Sequence, residues 1–277
     1  MRDKKDASMD ERIAVIGGGN MGSALVGGLV KNKIVPPGDV LVCEIDANRR
    51  EHLRETYGVE VSESLEDAPG FAKILLLAVK PIHLTEVGNR LRDRLTKDHL
   101  VVSILAGQSR AKLSRALGGA ARMVRVMPNL PAQAGAGISA VTFGEDVDCN
   151  QRVIVNEILS AVGSVVEVEE ELQNAVTAVS GSGPGFLFQL ASYLIEAAKA
   201  VQLPEPVARQ LVVQTMLGTA RFLEQSGDHP AELVKKVATP GGTTEAGLKV
   251  LEQADLEGII RETIRAATER SKELGRK

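Results

Sequence analysis

The sequence predicts an α/β chain in two parts: a doubly wound parallel sheet in the amino-terminal half, then an all-helical carboxy-terminal domain. Three observations carry this expectation. Short β-branched runs alternate with amphipathic segments in the first half, the strand signal stops after about Glu170, and a glycine-rich turn joins the first strand run to the first helical one. The 277 residues are 44% apolar and 25% charged, an average globular composition with length for one large domain or two ordinary ones.

The strand runs fall at 13–16, 40–42, 74–79, 100–104 and 123–126, with helical segments at 21–30, 48–57, 82–95 and 110–117 between them. Ile74-Leu-Leu-Leu-Ala-Val79 is apolar throughout, as burial on both faces of a parallel sheet requires. Runs at 138–143 and 165–168 flank a helix near 151–162 and complete the far edge of the sheet. Helices then follow at 184–201, 206–225, 230–237, 243–253 and 255–274, with Pro184, Pro206 and Pro230 in first turns, where the missing N–H costs nothing. In the last helix Leu256, Ile259, Ile260, Ile264 and Ala267 make one apolar stripe. The helix at 184–201 is apolar around most of its circumference, so it must be enclosed. A second subunit, in a homodimer, is the expected enclosure, and burial within its own domain is the alternative. The expected bounds are a flexible tail at 1–10, a nucleotide-type domain at 11–169 and a helical domain at 170–277.

Composition removes several function classes. Thirty-three Lys and Arg against 36 Asp and Glu give a net charge of −3, and no Trp, five Phe and two Tyr leave little for base stacking, so nucleic acid is not an expected partner. Cys43 and Cys149 form no CxxC, so neither a metal cluster nor a disulfide framework is expected, and a reducing cytosol suits them. The opening MRDKKDASMD lacks the apolar run of a secretory signal. The uncharged stretch 172–195 is interrupted by Ser180-Gly-Ser-Gly-Pro-Gly185 and reads as a turn into a buried helix rather than a membrane span. A cytoplasmic protein is the expectation.

The first strand runs into Gly17-Gly18-Gly19-Asn20-Met21-Gly22. This is G-x-G-x-x-G between strand and helix: Gly17 for the tight turn, Gly19 for close approach of a pyrophosphate, Gly22 for helix–strand packing. The helix start then faces the phosphates, which makes the sheet Rossmann-type and implies a dinucleotide. Glu44, after the second strand and with Asp46 close by, is the candidate acceptor for the adenosine ribose hydroxyls. A carboxylate there repels the extra phosphate of NADPH and favours NADH; Arg49 and Arg50 offset this and leave NADPH open.

Three strand ends, Ala78-Val-Lys-Pro81, Ser103-Ile-Leu-Ala-Gly107 and Arg125-Val-Met-Pro-Asn129, lie where open α/β sheets bind ligands. Ser180-Gly-Ser-Gly-Pro-Gly-Phe186 opens the helical half, and Val237-Ala-Thr-Pro-Gly-Gly-Thr-Thr-Glu-Ala-Gly247 lies within it. Glycines followed by Thr243-Thr244 at a helix start present unpaired N–H groups and two hydroxyls, a receptor for a small carboxylate; simple capping is the alternative.

The ordered set IGGGNMG, AVKP, RVMPN, SGSGPGF and ATPGGTTEAG resembles the pyrroline-5-carboxylate reductase family, over the chain from about Arg12 to Leu274. The resemblance implies NADPH- or NADH-dependent reduction of a cyclic imine to L-proline, the last step of proline biosynthesis, by a Rossmann domain followed by a helical dimerisation domain. It also implies a homodimer, with larger rings of dimers in some members. Carried over by position, it implies coenzyme contacts at Gly17, Gly19, Asn20, Met21, Gly22, Val79, Lys80 and Ala106. It places the substrate carboxylate near Thr239, Gly241, Gly242, Thr243 and Thr244, with the Thr244 hydroxyl beside the ring nitrogen as the catalytic group. Glu170 matches a position at the edge of the proline site, or is one more solvated carboxylate in its charge run. The chain departs from the family in Thr239 for the usual Ser, in Gly185-Phe186 for Ala-Tyr, and in Glu44 where Ser or Thr is frequent. His52, His83, His99 and His229 belong to none of the motif segments. Lys80 is expected at the coenzyme or in strand-end packing rather than as an acid. A related imine or β-hydroxyacid reductase and a non-catalytic dinucleotide sensor are the rival readings.

Overall fold

The computed structural model describes Met9 and residues 11–276. The chain divides into two compact units, one running to Ser182 and resuming at Ala267, the other Gly183–Ala266. The expected tail at 1–10 lies outside the described residues except for Met9, whose N–H donates to the Ile34 carbonyl at 2.8 Å.

The sheet unit is built on β1 (Ile13–Ile16), β2 (Val40–Cys43), β3 (Glu60–Ser62), β4 (Ile74–Leu77), β5 (Leu100–Ser103), β6 (Arg122–Met127), β7 (Gly137–Phe143) and β8 (Gly163–Glu167). Their order across the sheet is β3-β2-β1-β4-β5-β6-β7-β8. Every residue of β1, β2, β4 and β5 is buried, and alternate side chains feed two separate cores. Ile13, Val15, Leu76 and Val102 enter one core; Ile16, Leu75, Leu77 and Val101 enter the other. A strand that is apolar throughout therefore supplies both faces, the reading made of 74–79. The covering helices are α1 (Asn20–Lys31), α2 (Ala47–Tyr57), α3 (Ala68–Phe71), α4 (Leu84–Leu91), α5 (Arg110–Ala116) and α6 (Cys149–Ser160). Because β1 lies between β2 and β4, the chain reverses direction across the sheet there, and the crevice at the carboxyl ends of β1 and β4 is the topological switch point.

Three elements differ from expectation. The edge strand β3 has only three residues and no apolar run to announce it. The helix expected at 82–95 opens instead with a 3₁₀ turn, Pro81–His83, and its α-helical part ends at Leu91. β7 runs antiparallel to β6 while the other neighbours are parallel.

After β8 the chain makes a 3₁₀ turn (Glu170–Leu172), the short helix α7 (Gln173–Val176) and a π-helical turn (Thr177–Gly181), all within the sheet unit. The helical unit holds α8 (Gly183–Ala200), α9 (Glu205–Ser226), α10 (Pro230–Val237), α11 (Thr243–Gln253) and the first half of α12 (Leu256–Arg276), whose last turns return to the sheet unit. That return is held by the Ser271 hydroxyl donating to Asn174 Oδ1 at 2.9 Å. Within a protomer the described residues of α8 and α9 bury only Pro184 and Ala208, and Phe188, Tyr193 and Phe222 are 60%, 64% and 57% exposed. The described residues of its own chain do not supply the enclosure that α8 requires. No described helix is long and apolar enough to cross a membrane.

Candidate active site

At the switch point β1 ends between two neighbours: the Gly17 N–H donates to the Cys43 carbonyl and the Ala78 N–H to the Ile16 carbonyl, each at 2.8 Å. Gly17 has φ +104°, and a Cβ there would stand 2.8 Å from the Ala78 carbonyl oxygen. A Cβ on Gly22 would strike the Gly17 carbonyl oxygen, so the turn and the helix close on each other only without side chains. The Ser23 hydroxyl donates to the Gly18 carbonyl at 2.8 Å and locks the loop from inside.

Gly19 is different, since a Cβ there would meet nothing nearer than the Arg49 guanidinium at 3.9 Å. The space above it is open, and no side chain caps the start of α1. The N–H groups of Asn20, Met21 and Gly22 thus face outward with the helix dipole behind them, a cradle that fits a dinucleotide pyrophosphate.

Gly17, Gly19, Glu44, Val79 and Lys80 line one cleft of about 310 Å³, together with Ile45 and Arg49. Gly19 and Arg49 also border a second cleft, of about 360 Å³, which takes in Asn20 and His52. Ala106 stands exposed after β5 and borders neither. Glu44 is 8% exposed and turned onto the loop. One carboxylate oxygen accepts the Gly18 N–H at 2.7 Å and the other accepts the Asp46 N–H at 3.0 Å. Arg50 is consumed locally, donating to the carbonyls of Glu44 and Ile45 at 2.7 and 2.9 Å and pairing with Glu63. Arg49 and Lys80 stand on the cleft wall without an ion-pair partner among the described residues. The Cys43 thiol below them is pushed up to about 12 by burial, with Asp67 and Glu66 adding to the effect, so it is an inert part of the floor. Ile45, 82% exposed at the rim, was not singled out from sequence; an apolar residue after a β2 carboxylate is the signal that was there to read.

In the helical unit, Thr239, Gly241 and Gly242 lie in the turn between α10 and α11, and Thr243 and Thr244 open α11. Gly241 has φ +74°, and the Gly242 N–H donates to the Thr239 carbonyl at 2.9 Å. A Cβ on Gly242 would stand 2.6 Å from the Thr239 hydroxyl oxygen, so glycine keeps that hydroxyl against the turn. No side chain caps α11, which leaves the N–H groups of Thr243 and Thr244 available, and the capping alternative for their hydroxyls is not what forms. Glu245 reaches back to accept the Gly241 N–H at 2.7 Å. That residue was missed, although a Glu three positions after a helix N-cap is half of a capping box.

Glu170 is neither solvated nor free. Its carboxylate accepts the Arg110 backbone N–H at 2.8 Å, the Arg110 Nε at 2.6 Å and Arg125 Nη1 at 3.1 Å. Partial burial would raise its pKa, but these hydrogen bonds outweigh the burial and hold the carboxyl below its usual range.

Two segments of the chain match family models. One is described as pyrroline-5-carboxylate reductase dimerisation, over residues 170–274, and the other as NADP oxidoreductase, coenzyme F420-dependent, over 12–107. A pyrroline-5-carboxylate reductase of Synechocystis sp. is 40% identical over 97% of this chain and 100% of its own; that of Escherichia coli is 33% identical over the same shares. Among solved structures, a pyrroline-5-carboxylate reductase from Coxiella burnetii superposes with a TM-score of 0.90 at 35% identity, covering 95% of this chain and 98% of its own. The Plasmodium falciparum pyrroline carboxylate reductase with NADP bound does so with 0.87 at 27%, covering 97% and 100%.

Proposed function

The chain belongs to the pyrroline-5-carboxylate reductase family, and on that premise we propose which of its residues carry the reaction. That reaction is reduction of the C=N bond of 1-pyrroline-5-carboxylate to give L-proline, with a nicotinamide coenzyme. When bound, the coenzyme supplies the hydride.

The N–H groups of Asn20, Met21 and Gly22 hold the pyrophosphate, and Gly17 and Gly19 leave it room. Glu44 keeps a lone pair on each oxygen beyond those that Gly18 and Asp46 use, and accepts from the ribose hydroxyls. Its charge disfavours a phosphate there, so NADH is the better donor, while Arg49 on the cleft wall provides the counter-charge that lets NADPH be used. Val79, Lys80 and Ala106 line the remaining path. In the helical unit the N–H groups of Thr243 and Thr244, the Gly241–Gly242 backbone and the Thr239 hydroxyl hold the substrate carboxylate. The Thr244 hydroxyl hydrogen-bonds the ring nitrogen as electron density moves onto it. An imine that binds protonated needs no strong acid, and His99, the buried histidine, already spends its ring on the Thr96 N–H and the Pro69 carbonyl. The exposed apolar faces of α8 and α9 associate with a second copy as a homodimer, in keeping with the dimerisation model. Two free cysteines suit a reducing cytoplasm.

The observation that carries this reading is the turn from Thr239 to Thr244, an uncapped helix start with hydroxyls on both sides, inside the segment matched by the dimerisation model. Oxidation of each coenzyme is followed with the five-membered imine and its six-membered homologue. Turnover of the five-membered ring is expected, and its absence refutes the assignment. Thr244→Ala is expected to cost roughly 1–3 kcal/mol of transition-state stabilisation, about a 5- to 150-fold fall in kcat/KM. An unchanged rate removes Thr244 from the chemistry.

A further inference from the structure

The chain leaves the sheet unit through residues 170–182 and returns to it in the last turns of α12, and both crossings converge on the loop between β5 and α5. On the outgoing side Glu170 grips Arg110, the first residue of α5, by backbone and side chain at once. It also binds Arg125, which is 6% exposed and sits in register between Ser103 of β5 and Thr142 of β7. The clamp is reinforced one turn later: Gln173, wholly buried, donates to the Thr142 hydroxyl at 2.9 Å, and that hydroxyl donates to the Val168 carbonyl at 2.7 Å. On the returning side the Gly275 backbone lies against Gly107, so closely that a Cβ on Gly275 would stand 2.8 Å from the Gly107 carbonyl oxygen.

We propose that Glu170 is a positioning residue for the coenzyme's reactive end: through Arg110 and Arg125 it sets the conformation of the loop at 104–109, which carries Ala106, and it does not contact the imine. This rests on the reading of Ala106 as a coenzyme contact. Three donors converge on two oxygens, so the carboxylate has little capacity left for a ligand. The residues it organises are 60 and 45 positions away and flank the β5 end, which makes it a strut between strand end and outgoing chain rather than a wall of the substrate site.

The test replaces Glu170 with Gln, which keeps the shape but sets an amide NH₂ against a guanidinium N–H, and with Asp, which keeps the charge but is too short to span both arginines. Without coenzyme, hydrogen exchange of amides 104–112 is expected to accelerate at least tenfold in E170Q while Gly17–Gly22 is unchanged. In turnover, kcat is expected to fall at least tenfold with KM for the imine within threefold of the parent. The isotope effect on kcat with 4-deuterated coenzyme is expected to rise as the hydride step becomes limiting, and E170D is expected to recover part of kcat. A raised imine KM with unchanged kcat overturns the proposal and makes Glu170 a substrate ligand; unchanged exchange and kcat overturn it outright. If E170Q does not fold, E170D carries the same comparisons with a smaller effect. A parent chain without imine turnover refutes the assigned reaction instead, and the exchange measurement still decides the strut.

Discussion

Removal of the Glu44 charge is expected to shift coenzyme choice toward NADPH. The carboxylate is 8% exposed and its oxygens already accept from Gly18 and Asp46 at 2.7 and 3.0 Å, so it cannot swing away from an incoming phosphate without breaking both bonds. Two unit charges about 4 Å apart interact by about 1 kcal/mol in bulk water and about 4 kcal/mol at the effective dielectric of a protein surface. A value near 2 kcal/mol corresponds to roughly thirtyfold in the ratio of kcat/KM for NADH to that for NADPH. The ratio is the quantity to measure, because Glu44→Gln also places an NH₂ against one of the two N–H groups. That disturbance of the glycine loop weakens both coenzymes alike and cancels in the ratio, whereas the charge term does not. Glu44→Ser, which removes both acceptors, is expected to shift the ratio in the same direction, and Arg49→Ala in the opposite one. A ratio that moves less than twofold in both Glu44 variants refutes the argument, and the carboxylate is then only a brace for the loop.

Two further outcomes follow from the ion pairs and the helical unit. Arg90 holds Glu66 through two bonds of 2.6 Å, with the Ser64 hydroxyl at 2.6 Å, and these push its carboxyl down to about 2. The folded pKa lies below the unfolded value of about 4.3, so this stabilisation is complete above that value and lost as pH falls toward about 2. The Tm difference between the parent and Glu66→Gln is therefore expected to be constant near neutrality and to vanish by about pH 2; a difference that persists there contradicts the assignment. Phe188, 60% exposed on α8, is expected to be buried on association, so Phe188→Asp should lower the oligomeric state in sedimentation and depress activity, with activity recovering as protein concentration rises. Full activity as a monomer contradicts the homodimer.

Much of the sheet unit was legible because its signals are local. The runs that became β1 and β4 are apolar at every position, and that of β5 at every position but Ser103; burial on both faces is the only way a strand hides such a run. The glycine loop was legible for a similar reason, since Gly17 and Gly22 answer to backbone atoms a few residues away or on the adjoining strand. α8 was legible by contradiction: a helix apolar around most of its circumference must be covered, yet packing against α9 leaves most of its apolar side chains exposed. β3 was not legible, because three residues with no apolar pattern take their strand state from pairing with β2.

By itself, then, the order of residues determined the period of each element, the turn chemistry of the two glycine motifs and the need of the helical unit for a covering surface, all of which depend on neighbours within a turn or two. Tertiary structure alone decided what each charge does. Adjacent arginines diverge, Arg50 onto two carbonyls and Arg49 onto the open cleft, because only one of them meets the end of β2. Glu170 left its charge run for Arg110 and Arg125 because the antiparallel return of β7 and the course of β8 carry the outgoing chain back across the ends of β5 and β6. A charged side chain is placed by whichever opposite charge the fold brings within reach, and that distance is a property of the sheet order rather than of the spacing along the chain.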